Sequence, residues 1–215
     1  MKRFLVLPLL LLSACLAGDD DRARAERGNA GAQFNLGNMY LNGRGVAQNY
    51  AEAIRLYRLA AEQGNADAQY SLANNYRVGR GVAQNYAEAY RWYRPAAEQG
   101  HASAQHNLAN MYVLGQGISE NHAEAVKWYR LAAEQGDASA QRSLAIQYWS
   151  GSGVPQNATL AYVWSSLGAA QGHESAKNYR DFTARQLTPE QLARAQDIAA
   201  RCFASGYKDC ELAPR

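Results

Sequence analysis

From residue 66 onward the chain carries two successive amphipathic patterns. Ala68, Leu72 and Tyr76 recur every four residues. After a break, Ala89, Trp92, Tyr93, Ala96 and Ala97 follow the i, i+3, i+4, i+7, i+8 spacing of one helix face. The spacing predicts two short helices, A and B. Gly79 and Gly81 supply the turn between them, and Gly100 supplies a residue after helix B that tolerates positive φ. The recurrent alanines let the helices approach closely, and the large Leu, Tyr and Trp side chains fill the space beside them.

The pattern repeats. Gly64, Gly100, Gly136 and Gly172 are 36 residues apart, each closing Glu-Gln-Gly or Ala-Gln-Gly, and they delimit units 29–64, 65–100, 101–136 and 137–172. Twelve of the 36 positions are identical in all four units. In the second unit they are Ala66, Ala68, Gln69, Leu72, Tyr76, Gly79, Gly81, Asn85, Ala89, Ala97, Gln99 and Gly100. A hairpin of two short helices cannot bury its apolar face alone, so neighbouring units must complete the core, and an all-α solenoid is expected. The Ala-Gln-x-x-Leu opening, the Gly-x-Gly-Val turn and the Ala-Ala-Glu-Gln-Gly close resemble the Sel-one-like repeat (SLR), a relative of the tetratricopeptide repeat. The resemblance covers residues 29–172. It implies a right-handed α/α superhelical solenoid of four 36-residue helix-turn-helix repeats with capping helices.

The ends depart from the repeat. Ala25-Glu26-Arg27-Gly28 matches the last four positions of a unit, so residues 15–28 are read as a tether and an N-terminal capping helix, with Asp19, Asp20 and Asp21 near its start. Residues 173–215 begin in register and then leave it. Thr188-Pro189-Glu190-Gln191 places an N-cap, a first-turn Pro and a capping-box Gln before the apolar stripe Leu192, Ala195, Ala199 and Cys202. Within the repeats one position stands out. Leu59, Leu131 and Leu167 have Pro95 as their counterpart, inside helix B, where a backbone hydrogen bond is forfeited and a kink is expected.

Composition narrows the class. With 215 residues, 47% of them apolar, and ordinary Gly and Pro content, the chain can bury a core, which excludes a mainly disordered or collagen-like protein. Lys2 and Arg3 precede the apolar run Phe4 to Leu12, which is too short to span the ~30 Å hydrocarbon layer and reads as a signal peptide, residues 1–14. Leu12-Ser13-Ala14-Cys15 resembles the bacterial lipobox, which implies a lipid on Cys15; ordinary cleavage after Ala17 is the alternative. Removal of Lys2 and Arg3 takes the formal charge of +3 to about +1, so no strong electrostatic partner is implied. Three cysteines then become one lipid site and a pair, and Cys202 and Cys210 are expected to form a disulfide in an oxidising compartment.

The chemistry-bearing residues argue against catalysis and cofactors. His101 and His173 share the first repeat position with Asn29, Asn65 and Asp137, at a helix start that favours capping side chains. His106 and His122 lie in different helices without a metal-ligand spacing, and His173-Glu174 does not open an H-E-x-x-H helix. Neither Gly-x-Ser-x-Gly nor Ser-x-x-Lys with Lys-Thr-Gly occurs. Cysteine-rich secreted members of the SLR family are associated with penicillin binding and β-lactamase activity. That resemblance implies β-lactam or peptidoglycan-fragment binding or hydrolysis as an alternative, but those relatives carry a Cys pair in each repeat and this chain carries none there. Trp92, Trp128 and Trp164 share one helix-B position among core alanines and read as core. The series Arg55, Arg58, Arg91, Arg94, Lys127 and Arg130 is balanced by Glu52, Glu88 and Glu124 three residues before one member and Glu62, Glu98 and Glu134 four after another. It therefore reads as a solvated salt-bridged face, not a nucleic-acid site.

Four helix-A positions expected to be exposed vary between repeats: Phe34, Tyr70, His106 and Arg142; Asn38, Asn74, Asn110 and Ile146; Met39, Asn75, Met111 and Gln147; and Leu41, Arg77, Val113 and Trp149. In tetratricopeptide-like solenoids helix A lines the concave face, where rings and amides suit an extended peptide. Phe34, Asn38, Tyr70, Asn74, His106, Asn110, Arg142 and Trp149 are the expected partner-binding residues; interrepeat packing is the alternative for some of them. The reading is a protein-interaction scaffold binding a protein or peptide segment, exported, and lipid-anchored at the outer membrane facing the periplasm, or soluble if Cys15 is not acylated. Leu16 after the lipobox, not Asp, favours the outer membrane by resemblance to Gram-negative sorting. A secreted host-interaction factor using the same groove is a further alternative.

Overall fold

In the computed structural model the described residues are 21–208 and Cys210. The expected signal peptide, residues 1–14, and the expected lipid site at Cys15 lie outside them. A helical segment at residues 21–26 (α1) precedes α2 (Ala30–Asn42), α3 (Tyr50–Glu62), α4 (Ala66–Val78), α5 (Tyr86–Glu98), α6 (Ala102–Leu114), α7 (His122–Glu134), α8 (Ala138–Ser150), α9 (Ala158–Ala170), α10 (Glu174–Ala184) and α11 (Pro189–Ala204). The fold is an all-α solenoid of helix-turn-helix units with an additional helix before the first and two after the last. No helix among the described residues is long and apolar enough to cross a membrane.

The helices start where the sequence places caps. Asn29, Asn65, His101, Asp137 and His173 each accept a hydrogen bond from the backbone N–H three residues on at the start of a helix A or of α10. Asn49, Asn85, Asn121 and Asn157 do the same for every helix B, which accounts for the invariance of that asparagine. The second turn glycine has a steric reason as well as a conformational one. Gly81 has φ 74°, and a Cβ there would lie 2.8 Å from Cβ of Tyr50, the first residue of the preceding helix B. At the equivalent Gly153 a Cβ would collide with the backbone of His122.

Two compact units divide the chain at Pro95–Ala96, within α5. α5 runs through Pro95 to Glu98 as one helix. In the first unit, α2 packs on α3 and α3 on α4, around Ala53, Ile54, Tyr57, Ala60, Ala61, Ala68 and Leu72. In the second, α6 to α10 pack successively and α11 lies on α9, so that Ala195, Ile198 and Cys202 join the core of Leu144, Trp164 and Leu167. The expected capping box at Thr188 and Gln191 is formed, and the expected disulfide joins Cys202 to Cys210, both buried, with Cα atoms 4.6 Å apart.

Buried glutamines tie each repeat to the one before it. Gln33, Gln69, Gln105 and Gln141 donate to the carbonyls of Ala25, Ala61, Ala97 and Ala133 at 3.0–3.2 Å. Gln33, Gln105 and Gln141 also accept from Gln63, Gln135 and Gln171 of their own repeat at 2.7–2.9 Å. A buried amide is tolerated because both ends are satisfied.

Candidate functional site

Three residues form a recurring device on the helix-A faces. Tyr57 of α3 donates its hydroxyl to Oδ1 of Asn38 at 2.6 Å, and its ring lies 5.8 Å from that of Phe34. In the next repeat Tyr93 meets Asn74 at 3.4 Å and Tyr70 at a ring distance of 6.0 Å, with Arg77 bonded to both the Tyr93 hydroxyl and Asn74. In the third, Tyr129 donates to Asn110 at 2.5 Å and packs on His106 at 5.8 Å. Each helix-B tyrosine is buried, while the ring and the asparagine in front of it are half-buried. Burial pushes the phenols of Tyr57 and Tyr129 up to about 12. For Tyr129 a bond to Ser143 and the charge of Arg142 pull partly the other way.

The fourth repeat lacks this device. Ile146 replaces the asparagine, Ser165 replaces the tyrosine and donates to the carbonyls of Ala161 and Tyr162, and Arg142 stands in the ring position. Nε of Arg142 is buried without a hydrogen-bond partner. The Arg142 charge bears on both Tyr129 and Tyr179, which places it near α7 and α10. Further along α8, Trp149 packs edge-on against Phe182 of α10 at 5.1 Å, and Phe182 meets Tyr179 at 5.8 Å. Toward α6, His106 Nε2 lies 3.4 Å from Asn110 Nδ2 and 3.5 Å from Ser143 Oγ. Desolvation lowers the His106 pKa, with Asp137 opposing and His173 reinforcing, so the ring is neutral at pH 7.

All eight expected binding residues are thus half-buried on helix-A faces. The structure brings together Phe34 with Asn38 and Tyr70 with Asn74 in the first unit, and His106, Asn110 and Arg142 around Tyr129 and Ser143 in the second. Trp149 joins α10 instead. One expectation of exposure fails. Asn75, Met111 and Gln147 are buried, and Gln147 turns toward helix B of the preceding repeat, its Oε1 3.2 Å from His122 Nδ1 of α7. The tryptophans also differ among themselves: Trp164 is buried, whereas Trp92 and Trp128 are half-buried, with Arg91 over the Trp92 ring. On the opposite face the pairs Glu52–Arg55, Glu88–Arg91 and Glu124–Lys127 form as expected. Arg58 and Arg130, however, donate to Tyr76 and Tyr148 of the following helix A at 2.7 Å. Sequence reasoning missed the tyrosines behind the rings, although Tyr57, Tyr93, Tyr129 and Ser165 change in step with Asn38, Asn74, Asn110 and Ile146.

A cleft of about 310 Å³ between α1, α2 and α3 is lined by Tyr40 and Leu56 and by the paired charges Arg22–Glu26 and Glu52–Arg55, which neutralise one another. Among the described residues no group of three or more His, Cys, Asp or Glu side chains is placed to hold a metal ion.

Comparison with known proteins agrees with the architecture. The Sel1 repeat matches residues 30–65, 66–101, 102–137 and 138–173. A Sel1 repeat protein from Oxalobacter formigenes is 35% identical, with a TM-score of 0.74 over 94% of this chain and 79% of its own. The protective antigen c5321 of uropathogenic Escherichia coli, which displays an SLR fold, is 28% identical, with a TM-score of 0.58 over 91% of this chain and 51% of its own. No curated protein matches the chain significantly. Four matched repeats spanning most of the molecule, each built on the same caps, glutamine ties and turn glycines, place the chain in the Sel1 repeat family.

Proposed function

We propose that the chain is a protein-interaction scaffold whose helix-A faces bind an extended protein segment. Proteins of the Sel1-repeat fold generally act as interaction modules and are typically non-catalytic. The observation that carries the reading here is the tethered ring. Phe34, Tyr70 and His106 each stand half-exposed against a buried tyrosine that is itself bonded to an asparagine. A side chain already held in place loses little conformational freedom when a ligand packs on it, so these rings are suited to act as anchors. Their identities differ between repeats while the tyrosine behind them is constant in three, so the difference serves what lies in front of them.

Export to the cell envelope, with acylation of Cys15 as the tether, completes the proposal and rests on the N-terminal sequence. The Cys202–Cys210 disulfide suits an oxidising compartment. A second reading, display at the cell surface toward a host, draws on the likeness to a protective antigen and uses the same faces. The test is photocrosslinking in cells from a probe at Tyr70 or His106, with Arg91 on helix B as the control. A discrete adduct from the helix-A positions alone is expected and identifies the partner. Equal adducts from both faces, or none from helix A, would refute the binding role.

A further inference from the structure

The fourth repeat changes three positions together, and the change leaves a charge without a counterpart. In the other repeats the helix-A ring has a tyrosine behind it and an asparagine beside that tyrosine. In the fourth, Arg142 has neither, because Ser165 is too short to reach it and bonds to its own helix, and Ile146 offers no acceptor. Arg142 makes no hydrogen bond or ion pair with the described residues. Only its Nε is sealed from water, so the terminal nitrogens remain reachable. α6 and α8 carry no Asp or Glu, and α8 carries no other Lys or Arg. On α10 the charges are already matched, Lys177 with Glu174 at 3.6 Å and Arg180 with Asp181 at 2.7 Å. Among the described residues Arg142 is therefore an unpaired cation on the helix-A side of the second unit, with its Nε buried.

Ile146 and Trp149 follow Arg142 along the same face of α8, one and two turns on. Both are half-buried, and Phe182, 43% exposed, continues the apolar surface onto α10. Seven residues of helix separate Arg142 from Trp149, about 10 Å along the axis, and an extended peptide covers that distance in about three residues.

We propose that this face takes a peptide carboxylate on Arg142 and, about three residues away along the extended peptide, an aromatic side chain on the Trp149–Phe182 edge. The proposal rests on the helix-A reading above and names the ligand chemistry for its second unit. A guanidinium matches a carboxylate with two parallel hydrogen bonds. One unpaired cation balances one negative charge, which favours a carboxylate over a phosphate dianion. The carboxylate can belong to a chain terminus or to Asp or Glu.

Three fluorescein-labelled probes separate these cases by anisotropy against the full mature chain: Gly-Phe-Ser-Ser-Ser as the free acid, the same peptide as its amide, and Gly-Phe-Ser-Ser-Glu as its amide. The neutral amide should bind about 10- to 100-fold more weakly than the acid, the range expected for losing a charge-assisted hydrogen bond. Retained binding by the Glu peptide would show that a side-chain carboxylate suffices; its loss would restrict the site to a chain terminus. Arg142→Gln should abolish the acid-to-amide ratio, and Arg142→Lys should keep only part of it. Equal affinity of acid and amide for the unaltered chain overturns the proposal without any variant, as does no binding of either carboxylate probe at millimolar protein. Crosslinks from His106 that persist unchanged in the Arg142→Gln chain would leave the helix-A reading standing and remove this inference alone.

Discussion

The glutamine ties give a stability prediction that can be worked from the geometry. Gln141 is fully buried; its Nε2 donates to Ala133 O at 3.1 Å and its Oε1 accepts from Gln171 at 2.9 Å. Gln141→Leu keeps the volume and removes both bonds. The orphaned groups are mild ones. Ala133 O still accepts from the Gly136 N–H at 2.9 Å, and Gln171 is exposed and returns to water. With about 1 kcal/mol net for each hydrogen bond, the expected loss is about 2 kcal/mol, a fall of roughly 4–8 °C in Tm at this chain length. Gln171→Ala removes only the second bond. It also opens the site to water, which can replace the lost donor, so it should cost about 1 kcal/mol or less. In the Gln141→Leu background Gln171→Ala should cost almost nothing, giving a coupling of about 1 kcal/mol between the two positions. Urea unfolding followed by circular dichroism and tryptophan fluorescence measures all four corners of the cycle. An unchanged midpoint for Gln141→Leu, or additive effects in the double variant, would show that the invariant glutamines do not hold adjacent repeats together.

Alkali and reduction probe two other parts of the fold. Tyr57 and Tyr129 keep their protons in the folded state up to about 12, whereas the unfolded chain releases them near 10. The folded state therefore binds more protons in that window, and stability must fall as pH rises from 10 toward 12. Tyrosinate absorbance should show these two titrating together with the loss of helix, and their titration with helix intact would refute the assignment. For the disulfide, closing the short loop from Cys202 to Cys210 is worth about 2.5 kcal/mol in the chain-entropy estimate. Hydrogen exchange after reduction should show α11 losing protection ahead of α6 to α9; simultaneous loss would mean that the C-terminal helix has no independent stability.

Much of the fold was legible because it is written four times. Helix periods, turn glycines, the helix-B asparagine caps and the capping box at Thr188 are local features, decided within a few residues of chain. Repetition separated what the fold requires from what varies. The candidate site was legible only in outline. Phe34, Tyr70, His106 and Arg142 could be placed on helix A by spacing, but spacing cannot say what stands behind a side chain. That is why Met111 and Gln147 are expected at the surface from spacing alone, and why the bonds from Arg58 to Tyr76 and from Arg130 to Tyr148 are not visible in it.

The repeated helical hairpin and its ends follow from local chemistry, since caps, periodicity and glycine conformation act through neighbouring residues. Which polar groups meet across helices depends on how those hairpins pack. Tyr57, Tyr93 and Tyr129 reach Asn38, Asn74 and Asn110 from 19 residues away, and Gln63, Gln135 and Gln171 reach Gln33, Gln105 and Gln141 from 30. Among the described residues Arg142 has no hydrogen bond or ion pair, because Ile146 and Ser165 stand where the other repeats have Asn and Tyr. Hydrogen bonds have a range of about 3 Å and a direction, so they depend on packed geometry that no local pattern records.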